Sequence, residues 1–222
     1  MRTSSIHERA RQSPAEGRTQ RWLRGLGVGL ALACAGCASP PPVHLHTLTP
    51  IERPVPRQGG VPAEGRGPAV ELEPIRVPAQ VDQPQWLIRL PDDTLALLEQ
   101  ERWAAPLPEE FHRALLEILR LRFGAIDTRT TAPGVPLWRV RVDVNRFESA
   151  PGEARLETTW ALMPRSATAP ALRCTTYFRE SAGPGMPALA EAHRRALARL
   201  GEMIGEQLLA LQRGEVGRCS AA

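Results

Sequence analysis

Three stretches of strict alternation occupy the second half of the chain and leave little freedom in how it folds. Trp138, Val140, Val142 and Val144 alternate with Arg139, Arg141, Asp143 and Asn145, a period of two that packs one face of a strand and wets the other. After the turn signal Ala150-Pro151-Gly152, Leu156, Thr158, Trp160 and Leu162 repeat the pattern. Leu172, Cys174, Thr176 and Phe178 do so once more. A helical period then takes over from about Pro187 to Leu211, where Leu189, Ala196, Leu197, Leu200, Ile204, Leu208 and Leu211 line one side. Gly201 and Gly205 permit close packing there, at some cost in helix propensity.

The first half reads as shorter pieces. Strands are expected at Val43–Leu48, Ala69–Val77, Gln85–Leu90 and Thr94–Trp103, the last two joined by the turn Pro91-Asp92-Asp93. A helix follows from about Pro108 to Phe123, with proline in its first turn and Gly124 placed as its C-terminal cap. Phe111, Leu115, Ile118 and Leu119 make its inward stripe, with Glu109, Arg113 and Arg120 outside. A proline- and glycine-rich stretch over residues 52–68 keeps no apolar period and reads as an exposed loop. The expectation is an α/β or α+β layer fold, a mixed sheet of about five to six strands flanked by two main helices. At 222 residues the chain is long enough for one domain with a real core.

The N-terminus has the order of a secretory signal. Six arginines come first, then the apolar run Leu26–Ala33, then small residues and a cysteine. That run falls short of the roughly 20 apolar residues a membrane-spanning helix requires. Ala35-Gly36-Cys37-Ala38-Ser39 fits a lipobox, in which small residues enter the signal-peptidase groove and the cysteine thiol takes a diacylglycerol. Cys34 is the alternative, and plain secretion without acylation is a third reading; Leu32, two residues before Cys34, suits the pattern poorly. The expected organisation is a signal over 1–36, a lipidated tether over 37–42, a domain over 43–212 and a flexible tail over 213–222. Pro40-Pro41-Pro42 is stiff and extended and spaces the domain from a bilayer.

Charge narrows the partners. All 28 basic residues are arginine, and the excess over acids lies in the leader, so the chain from Cys37 onward is formally neutral. A basic footprint for nucleic acid is absent. The chain has no Gly-x-Ser-x-Gly elbow, and without lysine it has no phosphate-binding Gly-x-x-x-x-Gly-Lys loop. His112 and His193 fall on helices, where a surface or rim position is expected. His44 and His46 share one strand face, which offers either a metal pair or cross-strand packing. Glu109-Glu110 reads as a helix first turn and Asp92-Asp93 as a turn corner. No catalytic residue, metal site or cofactor is expected. Cys174 alternates inward, so a buried thiol is the default; an oxidising compartment also permits a Cys174–Cys219 bridge. Trp103 serves either as a partner anchor or as the lock of a strand-to-helix corner.

Arg102-Trp103-Ala104-Ala105-Pro106-Leu107, leading into the first helix, resembles a segment of the ABC-type transport auxiliary lipoproteins of the PqiC/YmbA type. Ile75-Arg76-Val77-Pro78, Val140 through Phe147, and Leu156 through Leu162 around Trp160 also resemble that family, in the same order and spacing. His44 and His46 stand where members often have tyrosine. The resemblance covers about residues 43–212. It implies a non-catalytic periplasmic accessory of an intermembrane lipid transport system that combines an ABC transporter with a bridge protein carrying MCE (mammalian cell entry) domains. It implies acylated Cys37 in the inner leaflet of the outer membrane, favoured by Ala38 rather than aspartate after the cysteine, and a homo-oligomeric ring. It gives Arg102, Trp103, Pro106, Leu107 and Trp160 structural or interface roles. The competing reading is a general envelope-assembly lipoprotein unconnected to lipid traffic.

Overall fold

The alternating run around Val140 becomes the longest strand, and the rest of the sheet is built on its two edges. The computed structural model describes residues 41–49, 67–127, 137–165 and 171–219. Its strands are β1 (His44–His46), β2 (Ala69–Leu72), β3 (Gln85–Arg89), β4 (Leu95–Trp103), β5 (Ile126–Asp127), β6 (Leu137–Ala150), β7 (Glu153–Pro164) and β8 (Leu172–Ser181). The helices are α1 (Leu107–Phe123) and α2 (Met186–Gln212).

β6, β7 and β8 form an antiparallel meander, with Val142 opposite Trp160 and Trp160 opposite Cys174. On its other edge β6 receives two strands end to end. β2 runs parallel to Leu137–Val140, and β3 meets β6 in parallel at Ile88 and Ser149. β4 returns antiparallel to β3, β1 lies parallel to β4, and β5 lies parallel to β2. The result is an open mixed sheet of eight strands among the described residues: the seven placed one by one from the sequence, which already exceed the five to six counted for the sheet, and β5. β5 is only two residues long and left no periodic signal to read.

Two sequence expectations are redrawn for backbone reasons. The ladder of the second strand ends at Leu72 because Pro74 has no N–H to give. The chain nonetheless stays beside β6, with Glu73 N donating to Val140 O and Val144 N donating to Arg76 O. β6 itself changes phase: a register shift between Val144 and Arg146 turns Phe147 and Ser149 inward where even-numbered residues pointed before.

Both helices cover one face of the sheet. The inward stripes read from the sequence are all buried, and Gly124 closes α1 in the left-handed conformation at φ 65°. The helices touch where α2 has no side chains. A Cβ at Gly201 would lie 2.6 Å from Ile118 Cγ2, and one at Gly205 would lie 2.3 Å from Phe123 Cδ2, so both positions require glycine for the close approach. The opposite face of the sheet stays open, carrying Arg139, Asn145, Arg173, Thr175, Tyr177 and Arg179 to solvent.

Several side chains depart from expectation. Cys174 is not a free thiol but is bonded to Cys219. The tail is therefore tied down as far as Cys219, and Arg218 N also donates to Gln207 Oε1 at 2.9 Å. His193 is buried rather than on a rim, and Glu110 is buried although it stands in a helix first turn.

Candidate functional site

The residues that follow the tether and those of the Arg102–Leu107 segment meet at one corner of the sheet. β4 carries a wide bulge: Trp86 pairs with Leu98, but its neighbour Gln85 pairs with Arg102. The bulge swings Trp103 inward to stack on Trp86, ring centroids 4.1 Å apart and 24° from parallel. Phe147 packs against the Trp103 ring at 5.6 Å. Trp103 is only 5 % exposed, so it presents almost no surface to a partner. Pro106 then caps the start of α1 and Leu107 is buried beneath it, while Arg102 turns away and donates to Glu99 O at 3.1 Å. Trp160 is buried in the middle of β7 with its indole N–H unpartnered. Of the five residues singled out with this motif, four gather at the corner and Trp160 lies apart. Cys34 and Cys37 lie outside the described residues.

β1 makes only three ladder pairs, yet the segment from His44 to Thr49 is held from three sides. From β4, Glu101 takes His44 Nδ1 at 2.8 Å on one oxygen and His46 Nε2 at 2.6 Å on the other. Burial alone would raise that carboxyl's pKa; the two imidazole hydrogen bonds outweigh it and hold Glu101 below the usual carboxylate range. The histidines that offered a metal pair thus grip a carboxylate. Among the described residues no group of three or more His, Cys, Asp or Glu side chains could hold a metal ion. From α1, the Glu110 carboxylate accepts Thr47 Oγ1 at 2.6 Å and Leu48 N at 2.8 Å. From α2, Arg194 donates to Thr47 O at 3.0 Å. Leu48 turns into the core at 1 % exposure, which is why the strand stops at His46.

A second polar chain crosses the core beneath this corner. Trp86 Nε1 donates to Ser149 Oγ at 2.7 Å, and Ser149 Oγ lies 2.8 Å from His193 Nε2. Complete burial pushes His193 down to about 3, so its imidazole is neutral. Ser149 is buried, no acid orients the imidazole, and His193 Nδ1 has no partner. The pair ties β3, β6 and α2 together and lacks the access and orientation that nucleophilic catalysis requires.

Sequence reasoning missed Glu101, Glu110 and His193. Spacing held the signal for two of them. His193 stands four residues from both Leu189 and Leu197 on the α2 stripe, and Glu110 stands four before Ala114 on that of α1. Glu101 left none, because its role depends on the bulge. The described surface also holds a cavity of about 480 Å³ beside α1, lined by Glu109, His112, Arg113 and Glu117 among others. A groove of about 360 Å³ crosses the open face at Arg141, Asp143, Thr159 and Arg173. The cavity beside α1 is lined mostly by charged and polar residues, whereas Trp160, Ala161, Met163, Ala171 and Leu172 make up half of the groove's lining.

A family model described as ABC-type transport auxiliary lipoprotein component matches residues 46–205, beginning at the β1 clamp and ending within α2. Among solved structures, an uncharacterized protein is similar over 76 % of this chain and 99 % of its own, with a TM-score of 0.60 at 13 % identity. Protein XCC0632 from Xanthomonas campestris is similar over 78 % of this chain and 98 % of its own, with a TM-score of 0.57 at 17 % identity. At those identities the likeness extends to the fold alone. No curated protein matches the chain.

Proposed function

This chain belongs to the ABC-type transport auxiliary lipoprotein family, and on that premise we propose that it is the non-catalytic, lipid-anchored accessory of an MCE-type intermembrane lipid transport system. Cys37 carries the acyl chains and holds the domain at the inner leaflet of the outer membrane, where it docks the periplasmic end of the bridge protein. One observation supports this reading above the others: the segment that leaves the tether is clamped to both helices and to β4 by side-chain carboxylates and an arginine. A domain pulled from one end by a membrane and from elsewhere by a partner needs its tether root fixed to the core. Three ladder pairs alone would fray, since chain termini are ordered only where they are tied down.

Affinity capture of the intact lipoprotein from detergent-solubilised envelopes should recover an MCE-domain protein together with ABC transporter subunits. Recovery of neither, under conditions that keep other envelope complexes together, overturns the accessory role. The anchor is tested separately: Cys37→Ser should abolish incorporation of labelled palmitate and release the protein from the membrane fraction. Retained label would move the site to Cys34.

A further inference from the structure

Among the described residues seven large apolar side chains are exposed, and five of them lie in β1, in the β3–β4 hairpin or immediately beside them: Val43, Leu45, Leu90, Leu95 and Leu97. The other two, Tyr177 and Val216, are on β8 and in the C-terminal tail. Register places Leu97 beside Leu87 and Leu95 beside Arg89 on the open face, and Leu45 beside Arg102 at the bulge. β4 pairs with β1 only at Glu101–Trp103, so from Leu95 to Gln100 its outer edge carries no strand among the described residues. Solvent-facing edges of this kind are normally blunted by charge. Here Leu95 and Leu97 stand on it, with Glu99 the one charged side chain of that stretch.

Chain length says what can cover them. Six residues lie between Cys37 and His44, and the seven steps reach at most about 25 Å even when fully extended. Three of the six are prolines, a residue type that favours an extended backbone and has no N–H to give to β4. The chain enters the domain at β1, at the same end of the sheet as the five apolar residues. We propose that the corner formed by β1 and the β3–β4 hairpin is the surface that rests on the lipid leaflet holding the acyl chains of Cys37, with the β8 edge directed away from the membrane. This rests on the lipid-anchor reading above. The leucines and Val43 enter the boundary between headgroups and acyl chains, as the apolar faces of interfacial segments do. Water and headgroups satisfy the free β4 backbone at that depth. Across β6 to β8 the open face carries mainly charged and polar side chains, Arg139, Arg141, Asp143, Asn145, Arg173 and Arg179 among them, and is the poorer match to the leaflet.

The test uses the full-length acylated protein in vesicles of phosphatidylethanolamine and phosphatidylglycerol, spin-labelled through Leu97→Cys or, separately, Tyr177→Cys. Cys174 and Cys219 are bonded to each other, so the introduced thiol is the one that reacts. Mass analysis first establishes the lipid on Cys37. Lipid on neither Cys37 nor Cys34 removes the anchor reading and this proposal with it. With lipid present, the label at 97 should be several-fold more accessible to oxygen than to a water-soluble nickel chelate, and the label at 177 should show the reverse. Chelate access at 97 equal to that at 177 overturns the orientation while leaving the anchor intact. Exclusion of both reagents from position 97 also overturns it, because that signature means burial against protein, a second copy included. Leu95→Cys repeats the measurement one pair along the hairpin.

Discussion

Across β6, β7 and β8 the open face of the sheet is mainly ionic and polar, whereas across β1, β3 and β4 leucines stand exposed among a few charges. In the ionic half most charges have a neighbour of opposite sign: Arg141 donates to Glu73 at 2.7 Å, Arg76 faces Asp143 at 3.7 Å, and Glu153 lies between Arg155 and Arg179. The hydrogen bond to Glu73 holds the Arg141 guanidinium above its ordinary value, and the two arginines keep Glu153 below the usual carboxylate range although burial opposes them. Such a face is content in water, and the pairs add little to stability because solvent screens them. On the other half Arg89 also pairs with Asp93 and Glu148, but Leu45, Leu95 and Leu97 stand exposed there and gain only if something removes them from water. The one open face therefore has two halves of different character: one is finished as it stands, the other leaves leucines in water.

The comparison can be broken first from beneath. Trp103→Ala removes the ring that stacks on Trp86 and should cost about 3–5 kcal/mol of stability, measured by urea unfolding. A loss under 1 kcal/mol would mean the apolar corner is not supported by the core. Next in size is the staple at the ionic edge. Cys219→Ala frees the tail from β8 and should cost about 2–4 kcal/mol, seen as a lower melting temperature that the reduced wild type shares. An unchanged melting temperature would mean the tail contributes nothing to that edge.

His193 gives a pH dependence with a definite sign. Its folded value of about 3 lies below the ordinary imidazole value of 6.5. Above 6.5 both folded and unfolded chains hold it neutral and its contribution is fully present. As the pH falls from 6.5 towards 3, the unfolded chain takes up a proton that the folded chain refuses, so stability declines by up to about 1.4 kcal/mol per pH unit. His193→Leu should be less stable at neutral pH and should lose one proton's worth of that slope; an unaltered slope would place the acid sensitivity elsewhere. The smallest expected effects separate the two halves directly. Leu97→Ser should leave stability within about 0.5 kcal/mol but reduce lipid contact at the hairpin, whereas Arg141→Ala should alter neither melting temperature nor lipid contact. Equal effects of the two on lipid contact would erase the distinction.

Much of this was legible along the chain. Alternation at Val140–Val144, Leu156–Leu162 and Leu172–Phe178 located the meander to within a few residues, and the two helical stripes located α1 and α2, because solvent and core impose a local period on a regular element. The glycines at 201 and 205 were readable as a close approach for the same reason. The corner was only partly legible. The Arg102–Leu107 segment was recognised as a motif, but the stacking of Trp103 on Trp86 depends on a bulge that no period announces.

What the sequence by itself determined is therefore the set of amphipathic elements, the neutral balance beyond the leader and the short proline-rich tether, all of which follow from local steric and solvation rules. What only the tertiary structure decided is which residues far apart in the chain meet. It brought Glu101 and Glu110 to the tether root, Ser149 to His193, and Cys174 to Cys219 across 45 residues. It also gathered Val43, Leu45, Leu90, Leu95 and Leu97 into one region, because β1 lies beside β4 only once the sheet has formed. Contacts of that kind are fixed by the pairing and register of strands, and register is a property of the assembled sheet rather than of any one strand.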